Sequence, residues 1–195
     1  MFEYLKGFVS YKKPEYFALD VHGVAYRVYI SLRMYEKIEL GQEYQIYIYN
    51  HIREGEYKLI GFLEEKERKL FELLLSVKGI GISLALAALS TYSVEQLVAY
   101  IQEEKIARLK KIPKLGEKKA QQMILDIQSK VKHFGVEEKM EENSAVTWAE
   151  DIASALENLG YAKKEIEQLL QQETWVEYQS LEEAMKGILK KMKQS

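Results

Sequence analysis

The sequence predicts a multidomain α+β chain: a small β-barrel first, then an all-α segment built on two glycine-bearing hairpins, then a short three-helix unit. Three observations carry this. The first sixty residues run in short stretches rich in Tyr, Val, Ile and Phe. Val77-Lys78-Gly79-Ile80-Gly81 and Ile112-Pro113-Lys114-Leu115-Gly116 each close one helical pattern and open another. Residues 134–147 lose all periodicity and turn acidic before helical spacing resumes.

In the barrel segment, residues 1–64, strands are expected at Tyr4–Ser10, Tyr16–Val21, Val24–Ile30, Tyr44–Tyr49 and Tyr57–Phe62. His22-Gly23 supplies a two-residue hairpin turn, a residue tolerant of φ > 0 followed by glycine. Gly41 interrupts the chain before the fourth run, and Glu54-Gly55-Glu56 turns it into the fifth. Short strands at this spacing suit a closed barrel of the OB type. The ten tyrosines of this segment are assigned to the barrel core and its amphipathic surface, with base stacking as the alternative.

Residues 65–133 change to helical periodicity. Leu70, Leu73, Leu74 and Val77 form one stripe, and Leu84, Ala85, Ala88 and Leu89 another. Ser93 caps a helix holding Leu97, Val98 and Ile101, and Ile106 and Leu109 lead into the second hairpin. Ala120, Met123, Ile124, Ile127 and Val131 line the helix after it, which makes five helices. Residues 134–147 read as a flexible acidic linker. In residues 148–195 three helices are expected. The first is capped by Thr147 with Glu150 as a capping-box partner and ends at Gly160; the second spans Lys163–Gln172; the third is capped by Ser180.

The bulk numbers exclude several classes. No cysteine is present, which removes disulfides, thiolate metal sites and a cysteine nucleophile. No apolar run reaches the roughly 18 residues of a membrane span, and Met1-Phe2-Glu3-Tyr4 has no signal-peptide character, so a cytoplasmic location is expected. The net charge of −2 divides unevenly: −1 over residues 1–64, +5 over 65–133 and −6 over 134–195. Positive charge gathers where the hairpins are, on Lys105, Arg108, Lys110, Lys111, Lys114, Lys118 and Lys119. Such local asymmetry marks a polyanion-binding surface better than the total does.

The hairpins carry the chemistry. Each places glycine before a helix whose first N–H groups lack partners and whose dipole is positive at that end, a site suited to phosphate. Two of them about 35 residues apart point to a tandem helix-hairpin-helix unit gripping a nucleic-acid backbone without reading its sequence. The expected contacts are Gly79, Ile80, Gly81 and Ser83 from the first hairpin and Lys114, Leu115, Gly116, Lys118 and Lys119 from the second. No Gly-x-x-x-x-Gly-Lys-Ser/Thr loop is present, so no ATPase site is expected.

The module order, with Gly61-Phe62, Glu67-Arg68-Lys69-Leu70-Phe71, Gly79-Ile80-Gly81, Lys118-Lys119-Ala120 and Leu159-Gly160-Tyr161, resembles the RuvA family of Holliday-junction-binding subunits along essentially the whole chain. The resemblance implies a homotetramer, or an octamer of two tetramers, that holds a four-way junction open. It implies partnership with the hexameric RuvB ATPase motor and with a junction resolvase such as RuvC. It implies no cofactor, no metal and no catalytic residue. An acidic pin that keeps strands apart falls on Glu54, Gly55 and Glu56, and contacts to the motor fall on Leu156, Leu159, Tyr161 and Met185. Three departures stand out: Gly55 replaces the pin's second acid, Lys114 replaces a hairpin glycine, and Ser83 stands where a lysine is usual.

Two alternatives remain. A helix-hairpin-helix DNA repair enzyme needs a catalytic aspartate, and Asp126 sits between inward-facing Ile124 and Ile127. An OB-fold single-strand-binding protein would work through the barrel aromatics. His22, His51 and His133 are scattered and read as turn or surface residues.

Overall fold

The computed structural model describes residues 1–131, 134, 145–171, 178 and 180–192. They fall into two compact units, 1–134 and 135–195.

The first unit opens with five strands: β1 (Tyr4–Lys12), β2 (Tyr16–Val21), β3 (Val24–Tyr29), β4 (Glu43–Arg53) and β5 (Glu56–Phe62). They close into a barrel in the order β1-β2-β3-β5-β4. Every neighbouring pair is antiparallel except β3 with β5, which run parallel with Val28 opposite Leu59. Alternation sets which side chains fill the interior: Phe17, Leu19, Val28, Ile46 and Ile48 point inward and are buried. Gly61 faces the same interior, where a Cβ would run into Val28 and Ile46 side chains. The turn at His22-Gly23 has φ of 52° and 88°, the mirror-image geometry that suits a right-twisted hairpin, and Val21 pairs with Val24 across it.

One element departs from expectation. A helix, α1 (Leu32–Lys37), lies between β3 and β4, capped by Ser31, whose Oγ accepts from the Met34 amide. Six residues are too few to show helical period in sequence. α1 packs on the helical region, and the Leu32 amide donates to Ser90 Oγ at 2.9 Å.

Five helices follow: α2 (Glu65–Leu75), α3 (Ile82–Thr91), α4 (Val94–Gln102), α5 (Ile106–Leu109) and α6 (Glu117–Val131). They do not stand apart from the barrel. Ile60 and Phe62 of β5 belong to the same core as Leu70, Phe71, Leu74, Leu97 and Ile127. Arg68 adds a polar tie, donating to Glu3 at 2.7 Å and to Glu65 at 3.1 Å. Ser93 caps α4 as expected, in a full capping box with Gln96.

Glu95, in the first turn of α4, is held at about 2, below the ordinary carboxylate value, by its own backbone amide first and then by Lys66 and Ser93. A depressed carboxylate stabilises the fold above its ordinary value and loses that contribution as pH falls through the folded value. Thermal melts should therefore show Glu95→Gln less stable than the parent near neutral pH, the difference shrinking between about pH 4.5 and about pH 2. A gap constant with pH would refute the assignment.

The second unit holds α7 (Ala145–Asn158), α8 (Lys163–Gln171) and α9 (Leu181–Met192) around Trp148, Ile152, Leu156, Ile166, Ala184 and Ile188. Thr147 lies inside α7 rather than at its cap, because the helix begins two residues earlier. Gly160 ends α7 as expected, with φ of 92°. The Tyr161 amide donates to Leu156 O and the Gly160 amide to Glu157 O, the paired bonds of a Schellman motif. Ser180 caps α9, its Oγ accepting from the Glu183 amide. Most of the linker expected at 134–147 lies outside the described residues; Phe134 packs on the first core and 145–147 already belong to α7.

Candidate nucleic-acid interface

The two hairpins are built alike. The Ile80 amide donates to Val77 O and the Leu115 amide to Ile112 O, each at 3.1 Å. The residue before each donor is left-handed: Gly79 at φ 84° and Lys114 at φ 67°. Ile80 and Leu115 themselves are buried and lock the hairpins onto the core.

This refines which groups can face a phosphate. The amides of Ile80 and Leu115 are occupied inside their own turns, so neither they nor their side chains offer a contact. The amides of Gly81, Ile82 and Ser83 at the start of α3 find no acceptor among the described residues, and neither do those of Gly116, Glu117 and Lys118 at the start of α6. Gly81 is the N-cap of α3, in extended conformation and with no side chain to block an approaching anion. Ser83 is exposed beside it.

Charge is arranged differently from the sequence expectation. Lys119, on the helix of the second hairpin, reaches the first: its Cε lies 3.9 Å from where a Cβ on Gly79 would sit. The first hairpin therefore has a lysine at hand despite Ser83. The second is less basic than it reads. Glu117 opens α6, and Lys110 binds it at 2.8 Å and holds its carboxyl below the usual range. Lys114, Lys118 and Lys119 are exposed and form no ion pair among the described residues. Asp126 accepts from Gln122, four residues back on the same helix.

A lysine in the left-handed region carries a backbone penalty of about 1 kcal/mol that glycine does not. Lys114→Gly should stabilise the protein by about that amount in urea unfolding. It should also flatten the salt dependence of DNA binding by about one unit of slope, since one cation is gone. Unchanged stability would mean that the lysine side chain compensates its own strain.

The β4–β5 hairpin carries the residues expected to form the pin. Arg53 pairs with Glu56 across it, and Glu54 and left-handed Gly55 form the tip. Glu54 is exposed and unpaired among the described residues. Glu56 is not its equal: Lys58 binds it directly, which holds its carboxyl below the usual range, and His51 Nε2 lies 3.6 Å away. The charge of Glu56 is thus largely balanced, leaving Glu54 as the free acid. His51 is 9% exposed and stacks on Tyr49, which corrects its assignment to the surface. His133 lies outside the described residues. Between this hairpin and α3 runs a cleft of about 680 Å³ lined by Arg53, Glu56, Lys58, Gly81 and Ser83 among others, so the base of the β4–β5 hairpin and the first glycine hairpin share one surface.

In the second unit the four expected partner contacts divide. Leu156 is fully buried, so its side chain serves the core rather than a partner. Tyr161 and Met185 are half-buried against that core. Leu159, at the end of α7, is 63% exposed. Nothing in local sequence separates Leu156 from Leu159; packing does, since Leu156 joins the core of the second unit and Leu159 does not.

Among the described residues no single helix is long and apolar enough to cross a membrane, and the apolar pair α3 and α4 is bent by 101°.

Comparison with known proteins covers all three parts. Residues 1–61 match the model of the RuvA N terminal domain, residues 71–129 that of the SAM-like helix-hairpin-helix tandem, and residues 147–193 that of the RuvA C-terminal domain. A relative from Fusobacterium nucleatum subsp. nucleatum is 53% identical over 193 residues, 99% of this chain and 98% of its own. One from Magnetococcus marinus is 39% identical over 178 residues, 87% of each chain, and one from Geobacter sulfurreducens 35% identical over 175 residues, 87% and 88%. Each relative is named Holliday junction branch migration complex subunit RuvA.

Proposed function

The chain belongs to the RuvA family, and on that premise we propose that it is a Holliday-junction-binding scaffold that recruits the RuvB motor for branch migration. The observation that carries this is the pair of hairpins presenting unpaired amides at Gly81–Ser83 and Gly116–Lys118, beside an acid-tipped hairpin on a shared surface. Amides and lysines hold phosphates irrespective of base identity, as a protein that moves along any DNA requires. Lys118 and Lys119 add point charges. Glu54 at the tip of the β4–β5 hairpin repels phosphate and keeps the exchanging strands apart, with Gly55 giving the turn and Glu56 fixing the hairpin base through Lys58.

The protein acts without chemistry of its own, as a homotetramer placing four pins at one crossover and two hairpins on each arm. Residues 145–192 form the motor-binding unit, with Leu159 as its exposed apolar contact and Tyr161 and Met185 beside it. ATP is hydrolysed by the motor, and cleavage of the junction is left to a resolvase such as RuvC.

A gel-shift competition at fixed salt tests the reading. Labelled four-way junction should be displaced by unlabelled junction at far lower concentration than by linear duplex of equal length. Equal displacement by the two would sink the junction assignment, and mass measurement of the free protein would test the tetramer.

A further inference from the structure

Three tyrosines on the outside of the barrel are not explained by junction clamping. Tyr16 and Tyr29 lie directly opposite each other on β2 and β3, and Tyr11 on β1 is registered against Ala18, two residues along the same face. Their ring centroids are 6.1 Å apart from Tyr11 to Tyr16 and again from Tyr16 to Tyr29. None points into the barrel interior, which Phe17, Leu19 and Val28 fill; Tyr11 is exposed, Tyr16 half-buried, and Tyr29 packs with part of its ring on the core shared with the helices. A cation stands over each ring: Lys13 at 5.8 Å from Tyr11, Arg27 at 4.5 Å from Tyr16 and Lys58 at 5.6 Å from Tyr29. Lys58 is held by Glu56, while Lys13 and Arg27 are exposed and in no ion pair among the described residues. Glu15 is the carboxylate at this edge. The row runs into the cleft through Tyr29 and Lys58, and the cleft leads on to Gly81 and Ser83.

We propose that this face is a second nucleic-acid site, one that takes a short run of single-stranded DNA. Aromatic platforms interleaved with cations are what sequence-tolerant single-strand binding needs, because every base has a face to stack and every nucleotide a phosphate. Arg27 and Lys13 leave their rings for phosphates, and the uncovered rings receive bases. The ring spacing selects the form of DNA. At 6.1 Å it is nearly twice the rise of about 3.4 Å between stacked bases along a duplex strand, so it suits bases already pulled out of their stack. Duplex would meet the same face only through its phosphates. The site is independent of the two hairpins and does not rest on the junction reading. If that reading holds, the strands parted at Glu54 are the source of the single-stranded DNA, and the cleft is their route to the tyrosines.

The test uses the full chain and a fluorescein-labelled oligothymidine, followed by anisotropy at low salt. The parent should bind it. Tyr16→Leu, which keeps apolar bulk at a half-buried position, should weaken that binding about tenfold. The exposed pair Lys13→Gln with Arg27→Gln, which leaves the packing of the strand intact, provides a second measure: it should lower the salt slope by about 1.4 units, two cations at about 0.7 each. Affinity for a fully paired four-way junction should change less than twofold in either variant. A 5-iododeoxyuridine placed in the oligonucleotide should photocrosslink to Tyr11, Tyr16 or Tyr29. No binding by the parent, oligothymidine affinity untouched by both variants, or crosslinks only to the hairpins would each overturn the site. A protein that failed to prefer junctions yet bound oligothymidine through Tyr16 would refute the junction reading and uphold this one.

Discussion

Replacing Ile82 with proline is expected to weaken junction binding by at least about tenfold without unfolding the helix it starts. Ile82 is the first residue of α3, and its amide is one of those left without an acceptor. Proline is well tolerated at that position because the amide it removes makes no bond within the helix. It also asks the preceding residue to be extended, and Gly81 already is, at φ −108° and ψ 178°. The substitution therefore deletes a proposed phosphate donor while sparing the scaffold. A hydrogen bond to a charged group contributes about 1.5–3 kcal/mol, which corresponds to roughly ten- to hundredfold in affinity. In the proposed tetramer, four subunits on one junction would compound the loss. Ile82 is half-buried, so Ile82→Ala is the matched control: it sheds the same packing and keeps the amide. Far-ultraviolet circular dichroism should match for the two, and titration of labelled junction should separate them. Equal affinities would show that this amide does not hold a phosphate.

Leu159→Asp should abolish stimulation of the motor while leaving junction affinity unchanged. The side chain is 63% exposed at the end of α7, where the Schellman turn closes the helix, so an aspartate there meets water and not the core. At an interface centre the same change would desolvate a carboxylate without a partner, which costs several kcal/mol. Leu156→Asp, three residues earlier and fully buried, would instead unfold the second unit, visible as loss of its near-ultraviolet signal. A chain ending at residue 144 should behave as Leu159→Asp does in both assays, because residues 1–134 have their own core. Full stimulation by the Leu159→Asp protein, measured as ATP-dependent branch migration, would remove the second unit's exposed leucine from the motor contact.

The local grammar of the chain was readable and its tertiary consequences were not. Strand β2 emerges at the expected bounds, the turn at His22-Gly23 has the expected conformation, and Ser93, Gly160 and Ser180 cap the helices assigned to them. These depend on neighbours in sequence. The misses depend on neighbours in space. Lys119 stands by a hairpin forty residues away, His51 is buried against Tyr49, and Leu156 differs from Leu159 through what packs on α7. Two signals were present but not used. Ile80 and Leu115 follow a left-handed residue, the place where a tight turn takes up the amide, and Glu117 sits seven residues after Lys110 across the hairpin.

The core shared by Ile60, Phe62 and the helices has one more consequence. Strand β5, which carries one side of the acid-tipped hairpin, is welded at its far end to the helices that bear the two hairpins proposed to hold phosphate. The unit works as a ruler. On the proposed reading, the distance from the point where strands part to the point where an arm is held is set by a packed interior, and packed interiors yield little. A force pulling DNA through such a subunit would then not be absorbed by bending between its parts but would be delivered to the crossover as displacement of the DNA itself.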